Sequence, residues 1–290
     1  MKTYFLAALL VISAANLNIA FAEVPANTSP ITIHQEQIGD ITVSLLSEGD
    51  SSRNTDILIN VTPEMIQKYI PTGTYTTGMN AILLQTPEGN ILIDTGLGKN
   101  LFNNLSLLQV SPDSIQTVLL THMHGDHIGG LVKDGKAAFP NATVYLSEKE
   151  KAFWTGKKPD EVLALYPGRV QTFTPEDLSS AKTELFPGIT PIASYGHTPG
   201  HTSYLIENSQ QKLMVWGDLT HVTPIQFPVP TAAVTYDTDS AQAIATRQAF
   251  FSYLAQTNIP VAGMHLPMPG FGRVANDLES DGYILLPIEN

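Results

Sequence analysis

Apolar positions divide the chain into short strand-like runs separated by stretches of helical period. Residues 31–38 and 41–46 flank Gly39-Asp40, a link that predicts a tight hairpin. Residues 80–86 and 90–94 flank Pro87-Glu88-Gly89 in the same way, and the second run ends in Asp94-Thr95-Gly96. The run 117–120 reads as a buried strand, and 143–146 as another. Runs 189–195, 202–207 and 212–216 follow in succession, then 259–264, and 283–288 is expected to close a sheet edge. Helices are predicted over 63–69, where Thr62 is the N-cap and Pro63 the first helical residue, over 99–109, and over 147–154. Another starts near Asp126 and runs through Ile128, Leu131 and Val132. The longest helical stretch is 239–256, with Ala241, Ile244, Ala245, Phe250 and Phe251 as its buried stripe. Segments 47–77 and 157–178 show no clear period. Strands separated by helices, with hairpins in each half, predict an α/β (α+β) fold of two packed sheets covered by helices.

The first 22 residues stand outside this pattern. Lys2, an apolar stretch over 4–15 and Ala20-Phe21-Ala22 predict a signal peptide cleaved after Ala22, with residues 23–290 as one domain in the periplasm or secreted. Asn16 and Asn18 interrupt the apolar run and no basic stop-transfer cluster follows, which argues against a retained membrane anchor. The chain contains no cysteine, so its stability must come from its core and bound metal rather than from disulfides. A net charge of −12 opposes binding to a polyanion, which argues against a nucleic-acid partner and for a small-molecule substrate. The sequence leaves a homodimer open.

The chemistry concentrates in THMHGDHIGG, residues 121–130, directly after the run 117–120. His122 and His124 are two apart, so on an extended backbone their side chains leave the same face. Asp126 and His127 follow after a turn at Gly125 and can face a second ion beside the first. Neutral imidazoles and ionised carboxylates are ligands for divalent metals, zinc among them. Only eight histidines occur in the chain, so three within six positions are not a polar loop by chance. The same grammar recurs downstream: an apolar run leads to Gly196-His197-Thr198-Pro199-Gly200-His201, another to Gly217-Asp218, and a third to His265. Loops at strand ends on a rigid scaffold are where such sites gather. One shared carboxylate among these ligands makes a pair of ions natural.

The HxHxDH core, the Gly-His-Thr-Pro-Gly-His turn, Gly217-Asp218 and Met264-His265-Leu266-Pro267 resemble the metallo-beta-lactamase superfamily, in its order, across about Asp94 to Pro269. The stretch from Trp216 through Asp239 to HLPMPGFG is similar in particular to the methyl parathion hydrolase-like and quorum-quenching lactonase branch. The resemblance implies a four-layer αββα sandwich with two divalent ions, zinc first, at one end of the sheets. It implies one ion on His122, His124 and His197, the other on Asp126, His127 and His265, and Asp218 bridging them. Asp126 would also act as the catalytic proton mover beside a metal-bridging hydroxide. Asp94 would support the histidine loop, His201 would bond within its own turn, and His221 would line the site. Trp154 and Phe227 are candidates for the pocket wall. His34 has no partner motif and reads as structural. The implied activity is hydrolysis of neutral esters, lactones or phosphotriesters. A beta-lactamase-like amide hydrolase is the nearest alternative, but the cysteine-using subclasses are excluded and the remaining dinuclear subclass lacks Asp218. A di-iron oxidoreductase and a non-catalytic metal-binding scaffold are the others. The iron relatives carry Glu where this chain has His124, and a complete ligand set argues against a degenerate scaffold.

Overall fold

The computed structural model of the protein describes residues 32–288. The expected signal peptide and the first residue of the expected strand 31–38 lie outside the described residues. The first sheet has seven strands, ordered in space as Ile33–Ile38, Ile41–Ser47, Asn80–Thr86, Gly89–Ile93, Ile115–Leu119, Thr143–Ser147 and Val170–Phe173. Its first four strands are antiparallel, and the strands from Gly89–Ile93 onward run parallel. The second sheet has six strands, ordered Ile189–Ala193, Thr202–Asn208, Gln211–Val215, Pro260–Ala262, Phe271–Asn276 and Tyr283–Leu286. Only Gln211–Val215 and Pro260–Ala262 pair in parallel there.

Strand alternation sends successive residues to different cores. Ile82 and Leu84 join Val43, Leu45, Ile93 and Leu119 between the sheets, against Tyr204, Ile206, Leu213 and Val215. Leu83, between them, faces outward with Leu92, Val118 and Val144 against Leu101 and Leu105 of helix Leu101–Leu107. The second sheet's outer face packs Met214, Trp216 and Val261 on Phe250, Phe251 and Leu254 of helix Ser240–Thr257. These are the four layers of the expected sandwich. Both faces of the central strands are covered, which is why their sequences are continuous apolar runs.

Several local expectations need correction. The buried face of helix Ser240–Thr257 is Ala243, Arg247, Phe250, Phe251 and Leu254. Ala241 and Ala245 face solvent and Ile244 is half-buried, because the stripe is set by an arginine that a hydrophobic pattern hides. The helix expected from Asp126 through Val132 is a single turn, Gly125–Ile128, followed by a tighter turn, Gly129–Leu131. Strand Phe271–Asn276 escapes the pattern because Gly272 and Arg273 interrupt it. The unassigned segments hold a two-stranded ribbon, Ser51–Asn54 with Thr74–Thr77, and the edge strand Val170–Phe173. No helix among the described residues is long and apolar enough to cross a membrane.

Candidate metal centre

Strand direction gathers the candidate ligands. Strands Gly89–Ile93, Ile115–Leu119 and Thr143–Ser147 are parallel, so their C-terminal ends reach one edge of the first sheet. Asp94, the segment Thr121–His127 and Glu150 follow those three ends directly. In the second sheet, strands Ile189–Ala193, Gln211–Val215 and Pro260–Ala262 point the same way and are followed by His197, Asp218 and His265. The two edges meet: the Thr202 amide donates to Thr121 O at 2.9 Å, and the Tyr204 hydroxyl donates to Leu120 O at 2.7 Å. Asn80 of the first sheet donates to Leu266 O at 2.8 Å and Gly263 O at 3.1 Å, which fixes the His265 loop.

His122, His124, His197 and Asp218 offer ligand atoms within 4.8 Å of one another, and so do Asp126, His127 and His265. In the first group, His124 Nδ1 lies 2.9 Å from His122 Nε2 and 3.0 Å from His197 Nε2. Asp218 stands between the groups. Its Oδ2 is 3.1 Å from His265 Nε2 and 3.3 Å from His197 Nε2, and its Oδ1 is 3.1 Å from His127 Nε2. Asp126 is partly exposed, with Oδ2 3.5 Å from His265 Nε2.

Buried acceptors fix which ring nitrogen four of the histidines present. His127 Nδ1 donates to Asp94 Oδ2 at 2.7 Å, His197 Nδ1 to Asp237 Oδ1 at 2.9 Å, and His265 Nδ1 to Gly78 O at 3.1 Å. His122 Nδ1 donates to Thr121 Oγ1 at 3.1 Å, and that hydroxyl donates onward to Asp94 Oδ2 at 2.6 Å. All four rings therefore turn an Nε2 lone pair toward the cluster, as metal-binding histidines do. Asp94 also accepts the Thr121 amide at 2.8 Å and is itself buried at a left-handed backbone angle, φ 56°. Gly130 locks the loop against this segment, since a Cβ there would fall 2.3 Å from Thr95 O.

The electrostatics divide the histidines. Burial and the neighbouring His127 ring hold His122 well below the usual imidazole range, and burial with His197 brings His124 down to about 4. Burial opposes charge at His197 too, but Asp218 and Asp237 outweigh it and raise it to about 9. Asp218 stays well below the carboxylate range despite burial, held there by His127, His265 and His122. His127 Nε2 and Asp218 Oδ1 are buried without a hydrogen-bond partner. Orphaned lone pairs of this kind need an explanation, and a divalent cation between them supplies one. The donor set, N and O only, fits a pair of such ions.

The remaining candidates fall into distinct places. His201 Nε2 accepts the Asp218 amide at 3.0 Å and its Nδ1 meets Ser194 Oγ at 2.7 Å, so it holds the Asp218 loop from behind. His221 Nε2 lies 3.1 Å from Asp218 Oδ2, and its ring stacks on His265 at 4.8 Å. Trp154 packs its ring against His124 at 5.7 Å, behind the ligand rather than in the pocket. Phe227 is a correction: it is buried in the outer core, stacked on Phe251 at 4.8 Å, because its loop turns inward there. His34 pairs with Glu36 far from the site. Sequence reasoning missed Asp237, 40 positions from His197 with no motif to mark it, and Arg247, whose guanidinium donates to Leu219 O, Pro230 O and Ala232 O and clamps the loop after Asp218.

The centre opens into a cavity of about 520 Å³, walled on one side by His124, Asp126, His197, Asp218, His221 and His265. Arg53, Ile57, Tyr75, Met79 and Tyr236 form the far wall. Segment 47–77, which shows no clear period in the sequence, supplies much of this lining, and segment 157–178 supplies none of it.

Comparison with known proteins places this geometry. The chain is 26% identical over 156 residues to an N-acyl homoserine lactonase of a Bacillus species, an alignment covering 44% of this chain and 58% of that one. It is 28% identical over 147 residues to the uncharacterized protein YobT of Bacillus subtilis, covering 48% of this chain and 61% of YobT. The chain thus spans about three fifths of the length of these curated relatives. Among solved structures, the hydrolase AbOPH of the beta-lactamase superfamily superposes with a TM-score of 0.78 at 29% identity, covering 91% of this chain and 99% of that one. AidC, a dizinc quorum-quenching lactonase in complex with an N-acyl homoserine product, superposes at 0.80 with 25% identity, covering 89% and 98%. The model of the metallo-beta-lactamase superfamily matches residues 76–256, and with the αββα layers and the ligand cluster in place, this chain belongs to that superfamily.

Proposed function

We propose that the protein is a metal-dependent hydrolase that opens lactones and related neutral carboxyl esters, with phosphotriester cleavage as a secondary activity. The observation that carries the reading is the convergence of two ligand groups on one shared carboxylate at the floor of an accessible cavity. His122, His124 and His197 would hold one ion, Asp126, His127 and His265 the other, and Asp218 both. Zinc suits this donor set, and the dizinc lactonase and the hydrolase of similar fold support the choice of metal and substrate. Two such ions, when bound, would bring the pKa of a water they hold down to about 7 and polarise a carbonyl or phosphoryl oxygen.

The chain's own residues do the rest. Asp126 is partly open to the cavity, and despite burial its carboxyl is held below the usual range by the nearby His127 and His265, so it can orient the attacking water and take its proton. His221 reaches the cavity while hydrogen bonded to Asp218. Ile57, Met79, Tyr75 and Tyr236 give the substrate's nonreacting part an apolar and aromatic wall. Burial pushes the Tyr75 hydroxyl up to about 12, so it stays a neutral donor.

The test is a pair of initial rates on one zinc-loaded preparation, lactone opening against hydrolysis of an aryl dialkyl phosphotriester, with a chelated blank. The proposal expects the higher kcat/KM on the lactone. A strong preference for the phosphotriester would reverse the substrate order, and no rate on either would sink the substrate class. We also propose export with removal of the first 22 residues; N-terminal sequencing of material outside the cytoplasm should begin at Glu23.

A further inference from the structure

Glu150 lies where the sequence signals only a helix start. Ser147-Glu148-Lys149-Glu150 has the spacing of a capping box, in which the glutamate turns back to the first amide of the helix. Half of that motif forms: Ser147 Oγ accepts the Glu150 amide at 3.1 Å. The carboxylate goes elsewhere. Its Oε1 accepts the Met123 amide at 2.9 Å and Trp154 Nε1 at 2.6 Å, and its Oε2 accepts the Thr198 hydroxyl at 2.6 Å and the Gly200 amide at 3.1 Å.

Met123 stands between His122 and His124, and Thr198 follows His197. One fully buried carboxylate thus joins the two loops that carry all three ring nitrogens of the first ligand group. The junction is tight as well as bonded: a Cβ on Gly200 would lie 2.0 Å from the Glu150 amide nitrogen. Ser147 Oγ adds a bond to Gly200 O at 2.7 Å. Three of the four partners are N–H groups that can only donate, and the ionised carboxylate accepts all four at once. Burial pushes its pKa up, while the bonds from Thr198, Met123, Trp154 and Gly200 pull it back. A buried carboxylate that is fully bonded but touches no candidate ligand atom is costly unless it positions something.

We propose that Glu150 is a positioning residue for the ion on His122, His124 and His197: it sets the separation of the two loops, while His127 and His265 of the second ligand group are oriented by Asp94 and Gly78 instead. The inference rests on the proposed assignment of that cluster to two ions. Outer contacts of this kind are worth about 10–100-fold in metal affinity.

The experiment follows zinc release from the loaded full-length protein into excess chelator with a colorimetric indicator, alongside circular dichroism of each variant. Glu150→Gln keeps the volume but turns an NH2 group toward two donors. Thr198→Val removes only the bond across the loops. The proposal expects one of two ions to leave about 10–100-fold faster from Glu150→Gln, with the other at the wild-type rate, and a smaller change of the same kind from Thr198→Val. Should Glu150→Gln not fold, Thr198→Val decides alone. Wild-type release of both ions from a folded variant overturns the proposal, and so does equal acceleration of both, which would mean general loosening. A wild-type protein that takes up no zinc fails at the earlier step, the assignment of the cluster, and the proposal falls with it.

Discussion

Four histidines at this centre present the same nitrogen because a buried acceptor holds the other, and Asp94 serves two of them at once. Thr121→Val removes the relay from His122 to Asp94 while leaving the loop amide bonded. Its zinc affinity, measured by chelator competition, should fall about 10–100-fold with the fold intact by circular dichroism. Asp218 touches both ligand groups, so Asp218→Ala should lose the paired ions and reduce kcat/KM by at least about 100-fold. A variant that keeps two tightly bound ions and full rate would contradict its bridging role. At this scale the sequence was informative wherever ligands share a loop. HxHxDH places four candidates within six residues, and His197, Asp218 and His265 each follow an apolar strand. Asp237 and Glu150 were hidden because their partners lie 40 and 48 positions away, and such contacts exist only after the sheets pack.

Elements matter here through the loops they pin. Gly130 presses on Thr95 O with no room for a side chain. Gly130→Ala should cost about 1–3 kcal/mol of stability, read from chemical denaturation, and lower metal occupancy with it. Arg247 of helix Ser240–Thr257 holds three carbonyls of the loop between Asp218 and residue 232. Lysine has neither the length nor the fork to reach all three, so Arg247→Lys should lose on the order of 2 kcal/mol. Full stability in that variant would show that the clamp is not needed. The long strands were legible because both faces are buried and their runs are apolar throughout. The ribbon Ser51–Asn54 with Thr74–Thr77 was not, since its exposed polar residues carry no period and its place is set by the cavity it borders. The stripe of helix Ser240–Thr257 was misplaced for the related reason that a hydrophobic pattern cannot register a buried arginine satisfied by carbonyls.

For the whole molecule, two sheets turn the carboxyl ends of six strands toward one edge, and the proposed ions join loops from both. Metal binding should therefore stabilise the fold. At free zinc 100 times its dissociation constant the gain is about 2.7 kcal/mol per site, so chelation should lower Tm by roughly 5 °C or more. An unchanged Tm would mean that zinc does not bind the folded chain in preference to the unfolded one. The measurement that bears most directly on the central claim is a zinc titration of the metal-free protein, followed by lactone hydrolysis. The account predicts no rate in the metal-free protein and a rate that saturates at two ions per chain. Full activity in the presence of excess chelator, or two bound ions with no hydrolysis of any ester, would contradict it.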